Sequence, residues 1–163
     1  MWTARVVQQV AQCFQPFDGV VAGGLPAALA VIGVTQKGSL MTLTRYGNTA
    51  GHEGLPIISR VVVHHGIAYV CGVTPDPVGD VTTQTRQVLE CIDRLLAQAG
   101  TDKSRLLTSQ VWLADMRLFD EHNAAWNAWV DPKNPPVRAC VQANLWRPGM
   151  LVEIMVTAAT ASD

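Results

Sequence analysis

Two neighbouring stretches carry apolar side chains on both faces of a strand, and this restricts the fold more than any other feature. Residues 59–65 and 67–73 are rich in strand-forming residues, and Gly66 between them is typical of a hairpin turn. Successive strand residues point to opposite faces, so the valines at 61–63 are apolar on both sides. Such a strand must be covered on both faces.

Two helices are predicted after this hairpin. Asp80 is a suitable N-cap, and Gly100 occupies the position after the helix end where a positive φ is favoured. Residues 106–114 then predict a third strand, and Asp115 is the expected N-cap of a second helix over about residues 117–130. The first helix has one apolar face, which consists of Val81, Val88, Ile92, Leu95, Leu96 and Ala99.

The second helix has a mixed inner face. Phe119, Asn123, Trp126 and Val130 fall on one stripe at helical spacing. Asn123 is the polar member of that stripe, and a buried amide must find hydrogen-bond partners. Either it ties the helix to a nearby backbone group, or its amide orders a loop beside a pocket. We interpret Trp126 as core or interface rather than as a stacking platform.

The C-terminal part predicts a second hairpin, because residues 135–143 and 150–156 are apolar runs that flank a turn at residues 147–149. Each run carries one charge, Arg138 in the first and Glu153 in the second. A charge in a buried strand is costly unless it is paired or used. Two interpretations stay open: a structural ion pair, or a site in which Arg138 grips an anion and Glu153 handles a proton. The register of the hairpin is not determined by the sequence.

The predicted order is strand, strand, helix, strand, helix, strand, strand, which indicates an α+β fold with a mostly antiparallel or mixed sheet. Two helices cover only one face of such a sheet. Because the strands at residues 59–73 are apolar on both sides, we expect the uncovered face to pack on another subunit, and therefore a homo-oligomer.

The bulk composition of the 163 residues excludes several classes of protein. Hydrophobic residues make up 48% and charged residues 15%, which is typical of a globular domain. The net charge is −1 with no basic run, which argues against a nucleic-acid surface, and no apolar run reaches the ~20 residues of a membrane span. The cysteines form no CxxC pair, and free thiols in a reducing cytoplasm are the simplest interpretation. We expect a compact domain over residues 41–163, preceded by an extension of unknown role at residues 1–40.

An ordered set of short motifs resembles the RidA (YjgF/YER057c) family, also labelled L-PSP endoribonuclease, and within it the YoaB-like branch. The resemblance covers about residues 45–159 and includes the spacing of Arg138 and Glu153. The remaining motifs are Tyr69-Val70-Cys71-Gly72, Gly79-Asp80, Gln84-Thr85, Leu113-Ala114-Asp115, Phe119 with Asn123, Ala128-Trp129, Pro136-Val137-Arg138 and Val152-Glu153-Ile154.

The resemblance implies a chorismate-mutase-like fold: a six-stranded mixed sheet with two helices on one face, assembled as a homotrimer with clefts between subunits. It implies hydrolytic deamination of reactive enamine and imine intermediates, such as 2-aminoacrylate, to a 2-keto acid and ammonia. The ligand would be a small imine or keto acid. No metal and no organic cofactor is implied.

The resemblance also implies roles for individual residues. Arg138 would hold the substrate carboxylate, Glu153 would orient or activate the attacking water, and Cys140 would contact the ligand through its backbone. Asn123 matches a family asparagine near the cleft.

Two positions that line the family's cleft depart from its pattern. Cys71 replaces a serine and Ile58 replaces an aromatic residue, so hydrolysis would be slower or the preferred side chain different, because a thiol is a poorer hydrogen-bond partner than a hydroxyl. The alternative function is non-catalytic binding of small carboxylates in the same cleft. The ribonuclease label requires a basic surface, which the net charge of −1 argues against.

Overall fold

Six strands and two helices make up the part of the chain that the computed structural model describes, namely residues 43–49, 51 and 56–160. The expected extension at residues 1–40 lies outside the described residues. In chain order the elements are β1 (Thr44–Tyr46), β2 (Val61–His64), β3 (Ile67–Val70), α1 (Val81–Gln98), β4 (Leu106–Leu113), α2 (Phe119–Trp129), β5 (Val137–Gln142) and β6 (Val152–Ala159).

The strands form one mixed sheet in the order β1-β2-β3-β6-β4-β5. Only the β4–β5 pair is parallel within this sheet, and the other neighbours are antiparallel. The predicted hairpin at residues 59–73 is confirmed as the β2–β3 pair. The predicted α+β class with a six-stranded mixed sheet and two helices is also confirmed.

The predicted C-terminal hairpin is wrong. β5 and β6 do not pair with each other, because β4 lies between them and pairs with both. β4, α2 and β5 form a strand–helix–strand unit, and such a crossover helix is what allows two consecutive strands to run parallel. The residues between β5 and β6 therefore cross over β4 instead of making a tight turn.

One face of the sheet packs against α1 to form the core. The strand side of this core includes Val61, Val70, Val111, Leu113 and Ile154, and the helix side includes Val88, Leu89, Ile92 and Leu96. The opposite face includes the exposed Tyr69, Gln110 and Val141 together with the half-buried Trp112 and Met155. Within the described chain no helix covers that second face, so its packing on another subunit stays a prediction.

The helix ends are largely those expected. The Asp80 carboxylate caps α1 by accepting from the Thr83 N–H at 2.8 Å, and Gly100 has a φ of 70°. α2 begins at Phe119, and Asp115 caps a preceding 3-10 turn, accepting from the Arg117 N–H. Neither helix of the described part is both long and apolar enough to pass through a membrane.

The inner stripe predicted for α2 is shifted. Its buried residues are His122, Ala125 and Trp126, whereas Phe119 is 36% exposed.

A single buried amide ties α1 to the segment before β6. Gln84 is 1% exposed, and its Nε2 donates to the carbonyls of Gly79 at 3.2 Å and Gly149 at 3.0 Å. Its Oε1 accepts from the Leu151 N–H at 2.8 Å. This amide therefore satisfies three backbone groups at the point where the chain enters β6.

We expect Gln84→Ala to lower the free energy of unfolding by about 2–3 kcal/mol, because it removes three hydrogen bonds and leaves buried backbone groups unpaired. Urea denaturation measures this. Gln98→Ala on the exposed side of the same helix is the control and should change stability by less than about 0.5 kcal/mol. Equal unfolding midpoints for the two variants would contradict the assignment.

Candidate functional site

Arg138 projects from β5 onto the helix-covered side of the sheet and lies against α2. Its Nη1 donates to the Asn123 Oδ1 at 2.7 Å, and its Cζ lies 4.9 Å from the centre of the Trp126 ring. Its Nε and Nη2 are buried and find no oxygen acceptor among the described residues; the Cys140 sulfur, a weak acceptor, is the side chain that interacts with the guanidinium there. Burial lowers the pKa of this guanidinium, which stays a cation at neutral pH. The site thus holds a fixed positive charge with two unused donor nitrogens.

The partner of Asn123 is therefore a side chain, Arg138. The interpretation in which its amide ties α2 to a backbone group is wrong, since its oxygen accepts from the Arg138 side chain. Trp126 is in the core, as expected, but it also stacks on the same guanidinium, which the sequence interpretation missed. The sequence signal for this contact was the spacing of three positions between Asn123 and Trp126. Residues three apart on a helix share a face, so a group that contacts Asn123 also lies near Trp126.

Cys140 lies beside Arg138 on the same face of β5, two residues further along the strand. Burial raises the pKa of its thiol, and the nearby Arg138 cation opposes part of that rise. A thiol with a raised pKa is a weak nucleophile at neutral pH. Its placement agrees with a contact role rather than with covalent chemistry.

His122 is a second buried group near Arg138 that the sequence interpretation did not identify. It is fully buried, a hydrogen bond of 3.0 Å joins its Nδ1 to the Thr85 Oγ1, and its Nε2 has no partner among the described residues. Burial, and then the Arg138 cation, lower the pKa of His122 to about 4. The imidazole is therefore neutral at physiological pH and does not compete with Arg138 for an anion.

Glu153 lies on the opposite face of the sheet from Arg138. In the register of β4, Trp112 pairs with Glu153 on one side and with Val141 on the other, whereas Ser109 pairs with Arg138. Paired residues share a face and adjacent residues alternate, so Glu153 and Arg138 point to opposite sides. An ion pair between them within one chain is thereby excluded.

The Glu153 carboxyl group packs directly over the backbone of Gly72. A Cβ atom at position 72 would clash with the Glu153 Oε1, so a glycine is needed for this close approach. Burial raises the pKa of the half-buried Glu153. A carboxylate of raised pKa is a better proton acceptor than an exposed one.

Cys71 precedes that glycine and belongs to the Glu153 group. Burial raises the pKa of its thiol, the Arg60 cation lowers it, and the Glu153 charge raises it further.

Cys71 and Cys140 are free thiols. Cys91 is disulfide-bonded, so the expectation of free thiols throughout is wrong at that residue.

Ile58 is separate from both groups. It lies just before β2 and is 38% exposed; its carbonyl accepts from the Thr49 N–H at 2.9 Å, and its N–H donates to the Thr49 Oγ1 at 3.0 Å. β2 is separated from β5 by three other strands, so Ile58 and Arg138 are far apart in one chain. The predicted site residues thus fall into three places: Arg138, Cys140 and Asn123; Glu153 and Cys71; and Ile58.

These groups can bind an anion and move a proton. Across residues 56–160 and the short described stretch before them, no three His, Cys, Asp or Glu side chains come together as metal ligands. A fixed cation with unused donors binds an anion, and a half-buried carboxylate accepts a proton.

Comparison with known proteins gives a family with this fold. The family model Endoribonuclease L-PSP matches residues 57–160. A RutC family protein of Haemophilus ducreyi is 48% identical over 102 residues, which are 62% of this chain and 87% of that protein. The RutC family protein YoaB of Escherichia coli is 41% identical over 101 residues, 62% of this chain and 89% of that protein.

Two further proteins are similar to this chain: one relative whose activity is named, and one protein whose structure is solved. The 3-aminoacrylate deaminase RutC of Acinetobacter baylyi is 34% identical over 95 residues, 54% of this chain and 75% of that protein. The crystal structure of a YjgF family member from Neisseria meningitidis matches with a TM-score of 0.69 and 36% identity, covering 76% of this chain and 98% of that one. The match of the family model over most of the chain, together with these relatives, shows that the chain belongs to the RidA/YjgF (L-PSP) family, in its YoaB-like branch.

Proposed function

We propose that the protein hydrolyses small enamine and imine intermediates that carry a carboxylate, of the 2-aminoacrylate and 2-iminopropionate type, to a 2-keto acid and ammonia. The observation that carries this proposal is the pair of buried, unused donor nitrogens on Arg138. Buried charged donors without acceptors are costly, and a bidentate carboxylate satisfies two at once. The named activity of the Acinetobacter relative, a deaminase, supports the reaction class.

In this proposal Arg138 binds the carboxylate of the substrate. Asn123 accepts from one guanidinium nitrogen and the Cζ lies over the Trp126 ring, so two contacts hold the group before a ligand arrives. Such preorganisation reduces the entropy lost on binding. Arginine suits this position better than lysine, because its planar fork matches the two oxygens of a carboxylate.

Glu153 handles the water. The oxygen of a water molecule bonds to the imine carbon while the Glu153 carboxylate takes a proton from that water. That proton passes to the nitrogen and gives a carbinolamine, and an enamine first shifts a proton from its nitrogen to its terminal carbon to become the imine. The hydroxyl proton of the carbinolamine then moves to the amino nitrogen through Glu153, the carbon–nitrogen bond breaks as the carbonyl forms, and ammonia leaves. The raised pKa of Glu153 makes its carboxylate a stronger proton acceptor.

The cleft that holds both groups lies between two copies of the chain in this proposal. Arg138 and Glu153 occupy opposite faces of one sheet, so a substrate that contacts both must sit between the Arg138 of one subunit and the Glu153 of another. A cyclic homotrimer repeats this arrangement three times. The apolar residues on the uncovered face support such an assembly.

In this proposal Cys71 and Ile58 change the rate of the reaction but take no part in its bond-making steps. Cys71 lies near Glu153, where a thiol of raised pKa is a weak hydrogen-bond donor to a water or a ligand. Ile58 offers no polar side-chain group. We therefore expect slower turnover than with a serine and an aromatic residue at these positions. A protein that binds keto acids but never turns over an imine would be a carboxylate sensor instead.

Mixing two inactive variants tests both the reaction and the shared cleft. We expect Arg138→Ala and Glu153→Gln each to lower kcat/KM at least about 100-fold, measured as keto-acid release from 2-iminobutyrate that a dehydratase generates. Co-refolded in equal amounts, the two variants should regain about a quarter of the wild-type sites, because one pairing in four joins an intact arginine to an intact glutamate.

The control for this experiment is the double variant Arg138→Ala, Glu153→Gln mixed with wild-type protein, which dilutes intact sites and restores none. No regained activity in the mixture of single variants, when light scattering shows that they co-assemble, would place both residues in the same chain's site. No acceleration by the wild-type protein over buffer would defeat the deaminase proposal.

The fall of kcat/KM at low pH should follow the protonation of Glu153. Because burial raises its pKa above the ordinary 4.5, the carboxylate is lost on acidification at a higher pH than for an exposed glutamate. We expect kcat/KM to fall through an apparent pKa above 4.5, and Glu153→Gln to remove that fall. Glu90→Gln, an exposed position on α1, should leave the fall unchanged.

Gly72→Ala should displace the Glu153 carboxyl group and lower kcat about tenfold or more, because a 1 Å misplacement of a catalytic group is costly. Binding of 2-oxobutyrate through Arg138 should change little. If the glycine acts through Glu153, the double variant Gly72→Ala, Glu153→Gln will be no slower than Glu153→Gln alone. Additive losses in this cycle would contradict the link.

A further inference from the structure

Ser109 carries a buried hydroxyl that has no partner. It lies in the middle of β4, is 2% exposed, and its Oγ forms no hydrogen bond among the described residues. The next two residues on its face of the strand, Val111 and Leu113, are apolar core residues. An unpaired buried hydroxyl is rare in a folded protein and needs an explanation, since its burial costs free energy.

Ser109 is the direct neighbour of Arg138. The two are paired in the parallel register of β4 and β5, so both side chains lie on the helix-covered side of the sheet. Paired side chains on one face lie within reach of each other. The unpartnered Oγ of Ser109 and the unpartnered Nε and Nη2 of Arg138 therefore belong to one place in the fold.

The donors at this place are suited to an anion. The guanidinium offers N–H groups and no acceptor, and the serine hydroxyl rotates freely to donate. Asn123 already uses its oxygen on Nη1, and the neutral His122 adds no charge of its own. A carboxylate has two oxygens with about four acceptor sites, enough to take two N–H donors and one O–H donor.

We propose that Ser109 is a ligand-binding residue, whose hydroxyl donates a third hydrogen bond to the carboxylate held by the Nε and Nη2 of Arg138. This inference rests on the proposed function and names a further contact of the same site. In the unliganded protein the hydroxyl is unpaired, and in the complex it is satisfied. The serine therefore strengthens ligand binding and lowers the stability of the free protein.

This trade-off has a signature that a structural serine does not have. Ser109→Ala should weaken the binding of 2-oxobutyrate about tenfold, measured by calorimetric titration, while the melting temperature of the free protein stays equal or rises. Ser109→Cys keeps nearly the same volume but donates only weakly, so it should weaken binding similarly without leaving a cavity.

Ser104→Ala is the matched control, because the Ser104 hydroxyl already donates to Asp102 and lies outside the site. It should leave 2-oxobutyrate binding unchanged. A lower melting temperature with wild-type binding in Ser109→Ala would make Ser109 a structural residue and overturn the inference. If the wild-type protein itself fails to bind 2-oxobutyrate, the proposed function fails. If the wild-type protein binds it and Arg138→Ala does not, the proposed function stands. Wild-type binding by Ser109→Ala would then contradict the Ser109 inference alone.

Discussion

The pairing of β4 with a parallel strand on one side and an antiparallel strand on the other determines on which face of the sheet the two charged candidate residues lie. Through β5 it places Arg138 beside Ser109 and Cys140 beside Val111, all on the helix-covered face. Through β6 it places Glu153 beside Trp112 on the uncovered face. A shift of one residue in either register would move these side chains to the other face, because the side-chain period of a strand is two.

The two buried charges are accommodated by different physical means. Arg138 keeps its charge, with an amide oxygen on one nitrogen and an aromatic face against its plane. Glu153 has neither aid, and burial shifts its pKa upward instead. A cation held permanently and a carboxylate that titrates more readily are suited to different tasks, the first to binding an anion and the second to moving a proton.

The helix caps and the β2–β3 hairpin, which depend on residues close in sequence, were predicted correctly, whereas the pairing of the C-terminal strands was not. The cap at Asp80 and the positive φ at Gly100 depend on a few adjacent residues, so they were predictable. The C-terminal hairpin failed because proximity in sequence favours neighbouring strands, whereas β4 competes for both of them. Of the two interpretations left open for Asn123, the backbone tie was wrong, because its oxygen accepts from a side chain fifteen residues away.

The sequence by itself determined the α+β class, the helix limits to within a few residues, and the two charges on which the site depends, since composition, caps and hydrophobic period are local properties. Tertiary structure decided the rest. Which strand lies beside which, which face each charge occupies, that Gly72 lies under Glu153 and that Trp126 covers Arg138 all depend on contacts between distant segments. Such contacts are selected by the packing of the whole core, and no short stretch of sequence contains that information.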